Sequence, residues 1–181
     1  GGKHYKQLND KLCEILTTEE LKCFPDSNVL MPPVMFNALF LTYHAFIHFI
    51  SEGLRLKQVL DWVMFVKKYQ SDINWKELHR LCVEYKIDRF LVVMNAIAVD
   101  FFGVKKTESA MMCESPYVQK LMNSVLYDDN YIFNTIEGDW KQRFHIVYNM
   151  IKYRWKYRDI AQQSVIKQLW TNLMGFILKT E

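Results

Sequence analysis

Residues 34–52 constrain this chain more than any other stretch. They are apolar on nearly every side of a helical wheel, with Pro32-Pro33 in front and Gly53 behind. The stretch is too long for a strand. Proline fits a first helical turn because the N–H it lacks has no partner there, and glycine accepts the left-handed conformation that ends a helix. At about 100° per residue, Phe36, Phe40, Tyr43, Ile47 and Ile50 share one face, and Ala38, Thr42, Ala45 and Phe49 fill the opposite side. Asn37, His44, His48 and Ser51 make the polar stripe. A helix of this kind is expected at the centre of a fold, with neighbours packed all round.

The remaining sequence supplies such neighbours. Prolines and glycines are sparse, four and six, so each marks a boundary. Helices are expected over 3–16, 55–69, 75–85, 89–102, 116–127, 140–157 and 162–178. Asp72 and Asn74 precede the third of these, Asp88 caps the fourth and Gly103 closes it. Thr17-Thr18-Glu19-Glu20 fits a capping box for a short helix to Cys23. Residues 25–33 and 105–115 read as loops, and Tyr131-Ile132-Phe133 as a strand-like piece. The expectation is an all-α fold: an irregular multi-helix bundle of about seven or eight helices around a central buried helix (34–52), in a single helical domain over 1–181.

Charge and cysteine usage narrow the function. The net charge is +3, too small to demand nucleic acid or a membrane surface, and no nucleic-acid partner is expected. Cys13, Cys23, Cys82 and Cys113 form no C-x-x-C pair, which reads as reduced thiols in a cytoplasmic protein. No apolar run is expected to make a membrane span, because Thr42, His44 and His48 interrupt the best candidate.

His44 and His48 are four residues apart and lie on one helix face. That spacing can hold a metal with Asp61 of the next helix, but the plainer reading is hydrogen-bonded histidines in a polar seam, and a third is that the seam faces a ligand or another domain. Lys57 and Asp61 are also four apart, and Lys57 with Arg55 brings two cations to a helix N-terminus that already favours anions. The stretch 140–158 interleaves Lys141, Arg143, Lys152, Arg154, Lys156 and Arg158 with Trp140, Tyr148, Tyr153, Trp155 and Tyr157. Cations among aromatics suit an anionic partner. The plainer reading is an amphipathic helix with its aromatics packed inward. No Walker loop, G-x-G-x-x-G or G-x-S-x-G is present.

Phe36-Asn37-Ala38-Leu39-Phe40, His44, His48-Phe49, Glu52-Gly53 and Lys57-Gln58-Val59-Leu60-Asp61-Trp62 together resemble the C-terminal helical region of the uncharacterised nucleotidyltransferase family, which is common in bacterial polysaccharide loci. Its members read F-N-A, H-x-x-x-H-F, E-G and R-Q-hydrophobic-hydrophobic-D-W. Lys57 stands where the family has Arg, which keeps the charge and loses the bidentate fork. The resemblance implies nucleotidyl transfer from an NTP, with carboxylates at D-x-D on a strand holding Mg²⁺ against the phosphates. Here Gly1-Gly2 precedes Asp10, but Leu12 stands two residues on. Asp128-Asp129 is adjacent, so both acids cannot share a strand face. The resemblance therefore implies that this is the C-terminal part of a longer nucleotidyltransferase-like protein. Its partner is then an upstream nucleotidyltransferase domain in cis, Mg²⁺ and NTP bind only with that domain, and the chain alone is inactive. On this reading His44, His48, Lys57 and Asp61 bind substrate and the metal is held elsewhere. The alternative is a non-catalytic helical interaction module that binds through 140–158 and the terminal apolar helix. Oligomeric state is left open.

Overall fold

The computed structural model describes residues 2–18, 21–24, 26–51, 53–105, 116–127, 148, 151–162 and 164. Its elements are α1 (Gly2–Thr18), β1 (Lys22–Cys23), β2 (Leu30–Met31), α2 (Val34–Ser51), α3 (Leu56–Tyr69), α4 (Trp75–Glu84), α5 (Asp88–Phe102), α6 (Val118–Tyr127) and a π-helical turn, Lys156–Ile160. The expected bundle stands: α2 packs against α1, α3, α4, α5 and the π-turn. Its core face is Ala38, Leu39, Thr42, Ala45, Phe46 and Phe49. The small residues on that face let neighbouring backbones come close. Phe90 of α5, fully buried, lies 5.5 Å from Phe46 and 5.2 Å from Phe49 between ring centroids. Burying one such ring contributes about 1.5–3 kcal/mol.

Local chemistry explains where the helices stop. Pro33 accepts the first helical bond of α2 from Asn37 N–H at 3.0 Å, and the Asn37 side chain reaches back to the Pro32 carbonyl at 3.1 Å. Gly53, at φ 98°, closes the far end by donating to the His48 carbonyl at 2.8 Å. Asn74 caps α4 by accepting from Glu77 N–H, and Gly103 ends α5 at φ 63°. Trp62 of α3 donates from its indole nitrogen to Asn95 Oδ1 of α5 at 3.1 Å, deep in the core.

Four expectations need correction. Thr17 and Thr18 do not cap a new helix. They finish α1, and their hydroxyls donate back to the Cys13 and Glu14 carbonyls. Lys22–Cys23 is not helical but pairs antiparallel with Leu30–Met31 as a two-residue ladder. Asp88 is inside α5 rather than its cap, where its charge favours the helix N-terminus and it accepts from Gln162 at 2.8 Å. Lastly, α2 at 18 residues and mean hydropathy 1.4 is long and apolar enough to cross a membrane by length and composition, so the histidines do not disqualify it. One third of that stretch is buried, along the face that packs on five other elements. Tyr131-Ile132-Phe133, the loop positions 106–115 and most of 140–157 and 162–178 lie outside the described residues.

Candidate functional site

α2 and α3 are joined by a short connection and pack together as a helical hairpin. Opposite its core face, α2 carries a ladder of rings one turn apart. Phe36 stacks on Phe40 at 5.9 Å, Phe40 on His44 at 5.6 Å, and His44 meets His48 edge-on at 4.6 Å. Phe40 is 41% exposed, so it does not belong to the packing face as its position on the helical wheel suggested. His44 is exposed and His48 half-buried. A helix apolar nearly all round does not reveal which side meets the core. The ladder became visible only once the neighbours were in place.

On α3, Lys57 and Asp61 are both exposed. Among the described residues no ion pair joins them. Leu56, Leu60 and Met64 repeat every fourth residue and are 40%, 38% and 64% exposed. At helical spacing this apolar stripe lies directly beside Lys57 and Asp61. The site residues thus fall into two pairs on adjacent helices. His44 and His48 are brought together. Asp61 does not complete a metal set with them, since among the described residues no group of three or more His, Cys, Asp or Glu side chains gathers as ligands.

The family-like string separates by role. Asn37 pins the loop before α2, Gly53 closes that helix, Gln58 caps α3 by accepting from Arg55 N–H at 3.0 Å, and Trp62 ties α3 to α5. These are structural tasks. Lys57 and Asp61 have no packing task that would explain them, since their side chains stand at the surface, and exposed His44 packs on Phe40 and His48 of its own helix.

The basic aromatic stretch mixes both readings. Trp155 and Lys156 are buried, and the Lys156 ammonium lies 4.4 Å from the Tyr153 ring centroid and 5.5 Å from that of Phe49. Tyr157 donates its hydroxyl to the Ile50 carbonyl at 3.0 Å, and burial pushes its phenol above the ordinary value. Arg154 and Arg158 stay exposed. Missed altogether from sequence was the facing wall, where Tyr117, just before α6, stacks on Trp155 at 5.8 Å and 3°.

No curated protein and no solved structure matches the chain. A family model does, that of the uncharacterised nucleotidyltransferases, over residues 3–103. That span takes in α1 through α5, including the ladder and the α3 face, and is more than half of the 181 residues: the chain belongs to the uncharacterised nucleotidyltransferase family.

Proposed function

We propose that this chain is the helical, substrate-facing part of a nucleotidyltransferase, and that nucleotidyl transfer from an NTP takes place against its α2–α3 face. The observation that carries the reading is the split within the family-like string. Its structural members are bonded into the fold, while Lys57 and Asp61 are held at the surface and His44 stands exposed in the ring ladder. Lys57 offers a point charge to phosphate, near a helix N-terminus whose free N–H groups favour anions. Each imidazole offers one donor and one acceptor nitrogen when neutral, and suits an acceptor hydroxyl. The Leu56, Leu60 and Met64 stripe beside Lys57 is a surface for the catalytic domain to cover. In this proposal that domain lies in cis, upstream, and brings Mg²⁺ and the NTP. The chain by itself binds without turning over.

The test is nucleotide consumption by the full gene product, with Mg²⁺ and each of the four NTPs, for the natural sequence and for His44→Ala, Lys57→Ala and Asp61→Ala. Each variant should melt like the natural protein, because surface substitutions cost within about 0.5 kcal/mol. At least one should lose roughly tenfold or more in kcat/KM, about 1.4 kcal/mol of transition-state stabilisation. Absence of turnover with all four NTPs, or natural kcat/KM in all three variants, overturns the proposal.

A further inference from the structure

Between residues 117–127 and residues 148 and 151–159 lies a cleft that the α2–α3 reading does not use, and it sits outside residues 3–103. It consists of two adjoining hollows of about 440 and 510 Å³, which share Lys120, Lys152 and Trp155. This is the size range of small-molecule sites. The floor is aromatic and already assembled. Trp155 lies parallel to Tyr117, and the Lys120 ammonium stands over the Trp155 ring at 4.9 Å. The rim is cationic. Lys120, Lys152, Arg154 and Arg158 all line it, and Asp159 is the one carboxylate among the described lining residues. That carboxylate is already engaged, with Arg158 Nε at 2.6 Å and a hydrogen bond from Tyr117 that together hold it below the usual carboxylate range. Arg154 is exposed and has no hydrogen bond or ion pair among the described residues.

We propose that this cleft binds a di- or polyphosphate ester, its phosphates held by Lys120 and Arg154 and its ring end resting on Tyr117. Among the described lining residues cations outnumber the one carboxylate, which selects anions, and charge-assisted bonds from arginine and lysine are the strong ones for phosphate oxygens. Trp155 is buried beneath Tyr117 and Lys120, so half-buried Tyr117 gives the uncharged end its surface to stack on. A concave site of this volume suits a small molecule better than an extended chain, so nucleic acid is the disfavoured occupant.

The experiment is titration calorimetry on the whole 181-residue chain, with inorganic pyrophosphate and with ADP as probes, for the natural sequence and for Arg154→Ala, Lys120→Ala and Lys67→Ala. Both probes should bind saturably. Arg154→Ala and Lys120→Ala should each weaken binding at least tenfold at unchanged melting temperature. Lys67→Ala, which removes an exposed cation of α3 outside the cleft, should leave it unchanged, which separates this site from a general effect of charge. Tighter binding of ADP than of pyrophosphate supports a nucleotide as the ester, and equal binding supports recognition of the phosphates on another carrier. Absence of saturable binding overturns the proposal, as does unchanged affinity in both cleft variants. Displacement of pyrophosphate by a single-stranded oligonucleotide at lower concentration than ADP also overturns it.

Discussion

Asn95→Leu tests how the α3 face is held in place. Asn95 is 6% exposed and Trp62 is 1% exposed, and the 3.1 Å bond between them joins α3 to α5. Leucine is close to asparagine in size, so the substitution opens little space, but it leaves the indole N–H without an acceptor where water does not reach. A buried donor left unpaired costs about 1–3 kcal/mol. The new apolar side chain recovers part of that, on the order of 1 kcal/mol. The net loss should be about 1 kcal/mol, within a span of roughly 0–2, or about 2–4 °C in Tm for a chain of this size. Urea denaturation of four proteins, natural, N95L, Trp62→Phe and the double variant, isolates the bond. Phenylalanine has no N–H to strand, so N95L should cost little or nothing in the W62F background, a coupling of about 1–2 kcal/mol. A coupling below about 0.5 kcal/mol would refute the reasoning, because N95L would then act through packing alone and the hydrogen bond would not be what ties the helices.

Two further outcomes follow from the same coordinates. Burial pushes the Cys82 thiol well above its ordinary value of 9.0, Asp88 adding to the effect, and burial raises Tyr157 above 10.0. Both groups keep their proton in the folded state where the unfolded chain loses it, so this stability is fully present below about pH 9 and is lost as pH rises above it. Urea midpoints measured from pH 7 to 10.5 should fall only above about pH 9, by at most ~1.4 kcal/mol per pH unit per group, and a flat profile would contradict the burial. Gly103→Ala should cost about 1–2 kcal/mol in the same assay from backbone strain alone. At φ +63° a Cβ at this position meets no heavy atom within 4 Å, so a neutral result would show that the cap relaxes.

Element boundaries were legible wherever a local device sets them. Pro33 and Gly53 bracket α2 at Val34–Ser51, Asn74 starts α4 at Trp75, and Gly103 ends α5. Each works through a backbone donor, an acceptor or a left-handed φ within a few residues. Thr17 and Thr18 were misread because a threonine hydroxyl serves equally to open a helix or to bond back to a carbonyl a turn earlier, and only the following residues decide. The candidate site was half legible. Lys57 and Asp61 could be placed on a solvent face from spacing. The orientation of α2 could not be read, because its hydrophobic pattern points in almost every direction, and neither could the cleft, whose stacked rings Tyr117 and Trp155 are 38 residues apart, one just before α6 and one just before the π-turn. Contacts over such a separation leave no periodic trace in sequence.

The two surfaces meet at the last turns of α2. The His48 ring is part of the outer ladder, and its carbonyl takes the closing bond from Gly53. Phe49, the next residue, faces the core under the Lys156 ammonium and lies 5.9 Å from Trp155, the floor of the cleft. Ile50, one further on, accepts the Tyr157 hydroxyl. Three consecutive residues therefore tie the ladder, the core and the π-turn into one stretch of backbone. Coupling between two sites requires an element with two arrangements that each ligand biases differently. Among the described residues these connections run through ring contacts and hydrogen bonds to backbone carbonyls that describe one arrangement. The physical consequence is additivity: charge removed at Lys57 and charge removed at Arg154 should act independently, each on its own surface. Any departure from additivity would locate a second arrangement in the turn from His48 to Gly53, since that is where the α2–α3 hairpin and the cleft share their scaffold.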